Sequence, residues 1–346
     1  MKNRIPVIDC DVHQTGTFTE YISESWRHVR PPSNMPWRGA LGHSVLRPDA
    51  TPPGGGRPGS DPAYLIEHLL EGEKIDWVIL TGDAQHANTH SNSHFALAYA
   101  RGYNDWIIDK WLSFDERFKG SMMIAPQDIP GSVKEVERVG DHPDIVQIIM
   151  ASALPTLMGK PYFWPLYEIA EAKGLPIAIH PGSEGSGITV PTAAGYPSYY
   201  CEWHTMLPSG YMNHLVSLVC EGVFEKFPKL RIVMIEGGVA WAAPLMWRFD
   251  KNWKGLRSEV PWLKRPPSEY IKECVRFTTQ PIEEPESLDK LLAMYDEIDA
   301  YNTVMFSSDY PHWDFDSPLA AFRGFPEDLK RRILYENAKE LYKIGE

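Results

Sequence analysis

Asp11-Val12-His13 sets a carboxylate and an imidazole two residues apart at the end of an apolar run that begins at Val7. In an extended strand residues i and i+2 point to the same face, so the two side chains would project together and could share one divalent ion. A D-x-H triplet is common by chance, and further groups give this one its context. His180 ends the run Pro176–His180 and precedes Pro181-Gly182, a chain reversal. Asp309 ends Val304–Asp309, where a carboxylate after uncharged strand residues needs a partner to offset its burial. Mixed oxygen and nitrogen donors of this kind suit Zn²⁺, Mn²⁺ or Fe²⁺.

Other candidates keep two readings each. Glu236 ends the run Arg231–Glu236; it is an additional metal ligand or general base, or a structural carboxylate capping the Gly237-Gly238 turn. His204, in Tyr199–His204, could hold a second ion with Glu236 or position the substrate, or be an ordinary packed histidine. His86, His90 and His94 recur every four residues; they share one face if the segment is helical, and His86, nearest the preceding strand, is the candidate ligand. His28, His43, His68, His142 and His214 read as structural. Trp203, Trp241 and Trp313 lie close in sequence to proposed ligands and would suit the wall around a planar or hydrocarbon substrate. Arg248 could grip a substrate carboxylate bidentately, or pair with Asp250 or Glu283.

Eight apolar or β-branched runs must position these residues: Val7–His13, Trp77–Leu80, Ser121–Ala125, Ile145–Met150, Pro176–His180, Arg231–Glu236, Val275–Thr279 and Val304–Asp309. Near-continuous apolarity marks strands buried on both faces, as in parallel sheets. Amphipathic stretches such as Ala96–Phe114, Tyr162–Lys173 and Glu327–Tyr342 separate them. The alternation predicts an α/β fold, a (β/α)₈ TIM barrel formed as a single domain over 1–346. No G-x-G-x-x-G follows the first run, which argues against the doubly wound alternative. In a barrel, Asp11, His13, His180 and Asp309 would all meet at the C-terminal rim. Residues 14–75 form a long insertion after the first strand, dense in Pro and Gly from Arg47 to Pro62, and read as a lid or a dimer contact.

The formal net charge of −12 argues against a nucleic-acid partner, which needs a basic footprint. No apolar run reaches the ~18 residues of a membrane span, and no secretory leader is visible. The four cysteines are far apart, without a C-x-x-C pair, so a reduced, cytoplasmic protein is expected.

The D-x-H, Ile179-His180-Pro181-Gly182, Ile235-Glu236-Gly237-Gly238 and Phe306-Ser307-Ser308-Asp309-Tyr310-Pro311-His312 together resemble the amidohydrolase-related branch of the amidohydrolase superfamily. That branch includes aminocarboxymuconate semialdehyde decarboxylase and resorcylate-type decarboxylases, and the resemblance spans nearly the whole chain. It implies a divalent metal held by Asp11, His13, His180 and Asp309, with Asp309 also handling the proton of the bound water or of the substrate. Glu236 stands where the decarboxylases of the branch carry a histidine. Met150-Ala151-Ser152 lacks the bridging Lys or Glu of the dinuclear hydrolases. The expected function is a metal-dependent hydrolase or lyase acting on a small carbonyl- or carboxylate-bearing compound. The alternative is a dinuclear iron or iron–manganese enzyme with oxygenase or thioester chemistry, in which His204 and Glu236 would serve a second ion. A homodimer is the expected assembly.

Overall fold

Strands β1 (Ile8–Val12), β2 (Trp77–Leu80), β3 (Phe118–Met123), β4 (Ile145–Ala151), β5 (Ile177–His180), β6 (Ile232–Met234), β7 (Val275–Thr278) and β8 (Val304–Met305) lie side by side in chain order. Every neighbouring pair is parallel. The computed structural model describes residues 4–29, 45–82, 87, 90–154, 156–184, 192 and 194–345. Helices connect the strands, as parallel pairing requires, and bury the outer faces of the sheet. They include Ser93–Ile107, Ile129–Val139, Trp164–Lys173, Pro208–Cys220, Ala242–Leu256 and Leu288–Glu297.

The ring closes through the segment after β8 rather than through β8 itself. Cys10 N–H donates to the Phe306 carbonyl at 3.0 Å, Asp309 N–H to the Asp11 carbonyl at 3.1 Å, and His13 N–H to the Tyr310 carbonyl at 2.7 Å. The fold is thus the expected (β/α)₈ barrel, with local departures from the sequence reading. β3 begins at Phe118, three residues before the expected Ser121, and β6 stops at Met234, leaving Glu236 outside the strand. The helix expected from Ala96 starts at Ser93, because Asn92 caps it by accepting the N–H groups of His94 and Phe95. His90 lies before that helix, so it shares no helical face with His94; His86 lies outside the described residues.

Within residues 14–75 the described Pro- and Gly-rich part contains one short 3₁₀ turn, Pro48–Ala50, before Asp61 caps the helix that opens at Pro62–Leu65. This segment folds back on the end of β1. Thr15 N–H donates to the Gly59 carbonyl at 2.9 Å. A Cβ at Gly59 would lie 2.8 Å from the His13 carbonyl oxygen, and the residue has φ of +72°, so only glycine permits this approach. Among the described residues, no helix is long and apolar enough to cross a membrane, and all four cysteines are free.

Candidate metal centre

The two imidazoles at the rim are set by backbone carbonyls. His13 Nδ1 lies 2.9 Å from the Gly82 oxygen and His180 Nδ1 2.7 Å from the Pro181 oxygen. A ring that donates from Nδ1 keeps its lone pair on Nε2. The two Nε2 atoms are 3.2 Å apart. Two lone pairs facing each other at that distance repel unless a proton or a cation lies between them.

Carboxylates complete the cluster. Glu236 Oε2 is 2.9 Å from His180 Nε2, Asp309 Oδ1 is 3.1 Å from His13 Nε2, and Asp11 Oδ1 is 3.4 Å from the same nitrogen. Thr81 donates its hydroxyl to Asp11 Oδ1 at 2.7 Å and so fixes that carboxylate's plane. Ligand atoms of Asp11, His13, His180 and Glu236 all fall within 4.8 Å of one another, and so do those of His13, Asp309 and His312. Donors bound to one ion at ~2.1 Å lie within roughly 4.2 Å of one another, so modest side-chain rotation brings either group to coordinating distance. Asp11 Oδ2 and Asp309 Oδ2 are buried and have no hydrogen-bond partner, the condition that a cation would relieve. The residues therefore fit a divalent metal.

The electrostatics agree. Burial, together with the Glu236 carboxylate, pushes the Asp309 carboxyl well above the usual carboxylate range. Burial opposes charge on His180, yet the Glu236 and Asp11 carboxylates outweigh it and raise the imidazole well above its ordinary value. Burial would also raise Asp11, but the His13 and His180 rings overcome it and hold the group at about 2. Without a cation the excess of carboxylate retains protons, and metal binding would displace them.

Short-range backbone geometry aims two of these groups inward. Glu236 and Asp309 adopt left-handed φ values of 58° and 60°, a conformation that costs about 1–3 kcal/mol for a non-glycine residue and clusters at functional sites. Each turns the chain out of its strand within a few residues and returns the side chain over the barrel mouth.

His312 has no role in the sequence reading, although it lies in the motif that ends β8. Its Nδ1 is 2.5 Å from Asp309 Oδ1, and its ring packs edge-on to His13 with centroids 4.4 Å apart. The available signal was an imidazole three residues beyond a rim carboxylate. His204 lies outside both ligand groups: its Nε2 is 3.1 Å from Asp314 Oδ2, and its ring packs against Tyr200 and Trp313. Asp314, which the sequence reading did not single out, also accepts from the Gln280 amide at 2.9 Å.

Above the cluster lies a cavity of about 180 Å³. Trp203 lines it, together with Tyr99, Tyr103 and Trp106 from one face of helix Ser93–Ile107. Their spacing of four and three residues was legible as an amphipathic helix, but not as a pocket wall. The insertion adds Phe18, Leu46 and Arg57. Trp241 and Trp313 are not among the lining residues: the Trp241 indole donates to the Gly237 and Gly238 carbonyls, and Trp313 is 44% exposed. Arg248 is exposed on helix Ala242–Leu256, away from the cavity. Of its two expected partners, Asp250 accepts from Ser268, and Glu283 accepts from the Val239 and Ala240 N–H groups.

The fold is a barrel with a cluster of imidazoles and carboxylates at one rim. The chain matches the amidohydrolase family over residues 8–344 and belongs to it. It is 25% identical to a gamma-resorcylate decarboxylase of Polaromonas sp. over 295 residues, 80% of this chain and 86% of that one. It is 23% identical to the 2-amino-3-carboxymuconate-6-semialdehyde decarboxylase of Dictyostelium discoideum over 301 residues, 81% of this chain and 76% of that one. A Polaromonas dihydroxybenzoic acid decarboxylase, crystallised with manganese and the inhibitor 2-nitroresorcinol, has the same fold. It superposes with a TM-score of 0.71 at 20% identity, covering 99% of this chain and 98% of that one.

Proposed function

We propose that the protein is a divalent-metal-dependent lyase or hydrolase of a small planar compound bearing a carboxylate or carbonyl group, with decarboxylation as the first activity to test. One observation carries the reading: the His13 and His180 Nε2 atoms face each other at 3.2 Å beside the unpartnered Oδ2 atoms of Asp11 and Asp309. The relatives that match over most of the chain bear the names of decarboxylases of small unsaturated acids, which supports the substrate class. Asp11, His13, His180 and Asp309 would hold the ion, with Glu236 beside them as a fifth donor. When bound, the metal supplies Lewis acidity, polarising a substrate oxygen and acidifying water.

The remaining steps belong to the side chains. The aromatic wall of Tyr99, Tyr103, Trp106 and Trp203 would stack on a planar substrate and exclude water from it. Arg57 would meet a carboxylate at the cavity wall. Asp309 would take up a proton from the substrate or from water as a carboxylate and deliver it to the carbon that loses CO₂, or to the leaving group in a hydrolysis. His312, whose Nδ1 is 2.5 Å from Asp309 Oδ1, would orient that carboxylate and relay its proton. The described parts of the insertion, residues 14–29 and 45–75, would cover the site as a lid.

A second reading, a dinuclear centre, rests on the adjoining His13–Asp309–His312 group. Metal analysis of the purified protein separates the two: about one equivalent per chain supports the first and two the second. CO₂ release from a panel of hydroxylated aromatic acids, before and after chelation and reloading, tests the reaction. Full activity of Asp309→Asn with its metal retained would defeat the acid–base assignment.

A further inference from the structure

The N-terminal end of the barrel, opposite the metal centre, holds a second cavity of about 300 Å³. Its wall carries Lys229, Arg231, Arg276, Arg332 and Lys343, in a chain whose net charge is −12. The carboxylates beside them are already engaged. Glu340 forms a two-point pair with Arg332, at 2.6 and 3.2 Å, and Glu171 accepts the Lys229 backbone N–H at 2.7 Å. Arg231 and Arg276 have no such partner among the described residues. Arg231 Nη1 donates to the Pro228 and Leu230 carbonyls, and Arg276 Nη1 to the Glu273 and Val275 carbonyls.

Arg276 belongs to β7, and its Cα pairs with Val233 of β6, which brings it beside the Arg231 that precedes β6. Burial and the Arg231 charge push its guanidinium down to about 10. Asp299 and Glu340 attract it only at longer range. Arg231 and Arg276 are both half-buried, and two guanidinium groups side by side repel, a cost that an anion between them relieves. Asn337 closes the inner wall of the cavity, its Nδ2 donating to the Ala300 and Val304 carbonyls at 3.2 and 2.7 Å.

We propose that this cavity is a binding site for a small oxyanion, either a phosphate or a dicarboxylate, held by Arg231 and Arg276. The site is separate from the metal centre and does not depend on the function proposed there. Guanidinium pairs match the oxygens of both anion types bidentately, and the volume admits a small metabolite and not a polymer.

Calorimetric titration of the metal-loaded protein with inorganic phosphate and with malate, at constant ionic strength, tests the assignment. Saturable binding is expected, and the tighter of the two ligands names the class. The affinity should fall about 10- to 100-fold in Arg276→Met and in Arg231→Gln, with metal content and basal activity unchanged. Arg276→Met without ligand should also raise Tm, because it removes one of two adjacent like charges. Absence of saturable binding by either anion, or binding that survives both substitutions, overturns the proposal. So does a lower Tm for Arg276→Met, which would make the arginine a structural element.

Discussion

The two ends of the barrel break the same rule with opposite sign. At the C-terminal rim Asp11, Glu236 and Asp309 crowd around His13, His180 and His312, and two carboxylate oxygens are left buried without a partner. At the N-terminal end Arg231 and Arg276 sit together with only backbone carbonyls to receive their protons. The strands between them are mostly apolar; Asp9 of β1 is an exception, with one oxygen accepting the Asp11 and Ser308 N–H groups and the other buried without a partner. The difference lies in how each charge excess is organised. At the rim the side chains are oriented by a hydrogen bond from Thr81 and by bonds to the Gly82 and Pro181 carbonyls, which suits an ion needing fixed geometry. At the base the groups are long and held only by carbonyls near their own backbone, which suits a larger anion.

Substitutions should separate the two ends. The largest effect belongs to the rim. His180→Ala is expected to abolish metal retention and activity together, measured by metal analysis and kcat/KM; a variant that kept its metal would break the comparison. Asp309→Asn should follow, with kcat reduced about 10²- to 10⁴-fold, the usual range for a general acid or base. Thr81→Val removes only the hydrogen bond that orients Asp11, and should weaken metal affinity about 10- to 100-fold. Competition with a chelator measures it. Unchanged affinity would show that the rim needs no such support.

The smallest expected effect is one of pH. The Asp316 carboxyl, outside both clusters, is pushed from 3.8 to about 6 by burial, and its Oδ2 accepts from the Ile282 N–H. Between those values the folded state keeps a proton that the unfolded chain releases. Its contribution to stability is therefore present below pH 3.8 and lost as the pH rises through about 6. Denaturation midpoints of Asp316→Asn across this range should show a flatter pH dependence than those of the wild type. An identical slope would mean that burial alone does not shift a carboxyl here, and would weaken the electrostatic reading at both ends.

Much of the rim was legible before the structure because its signals are local. Asp11 and His13 are two apart on a strand, and strand pleating puts them on one face without reference to anything distant. His180 and Asp309 each end an apolar run, and in a parallel barrel all such ends face one side. His312 was not legible in this way, since its place follows from a left-handed turn at Asp309 for which strand or helix periodicity offers no rule. His204 was read beside Glu236 from its nearness to β5 along the chain, but Asp314 draws it away. The aromatic wall shifted for a similar reason: Tyr99, Tyr103 and Trp106 read as one helix face, and only the docking of that helix decides whether the face meets core or cavity.

Sequence by itself determined the barrel, the gathering of candidate ligands at its rim and the donor types found there, because each rests on periodicity and on residues a few positions apart. Tertiary structure alone decided which donors converge, which aromatic rings line the pocket, and that a basic cavity exists at the other end. Those outcomes depend on distances between segments as far apart as Arg231 and Lys343, and such distances are set by closure of the ring and by packing, which no local pattern encodes.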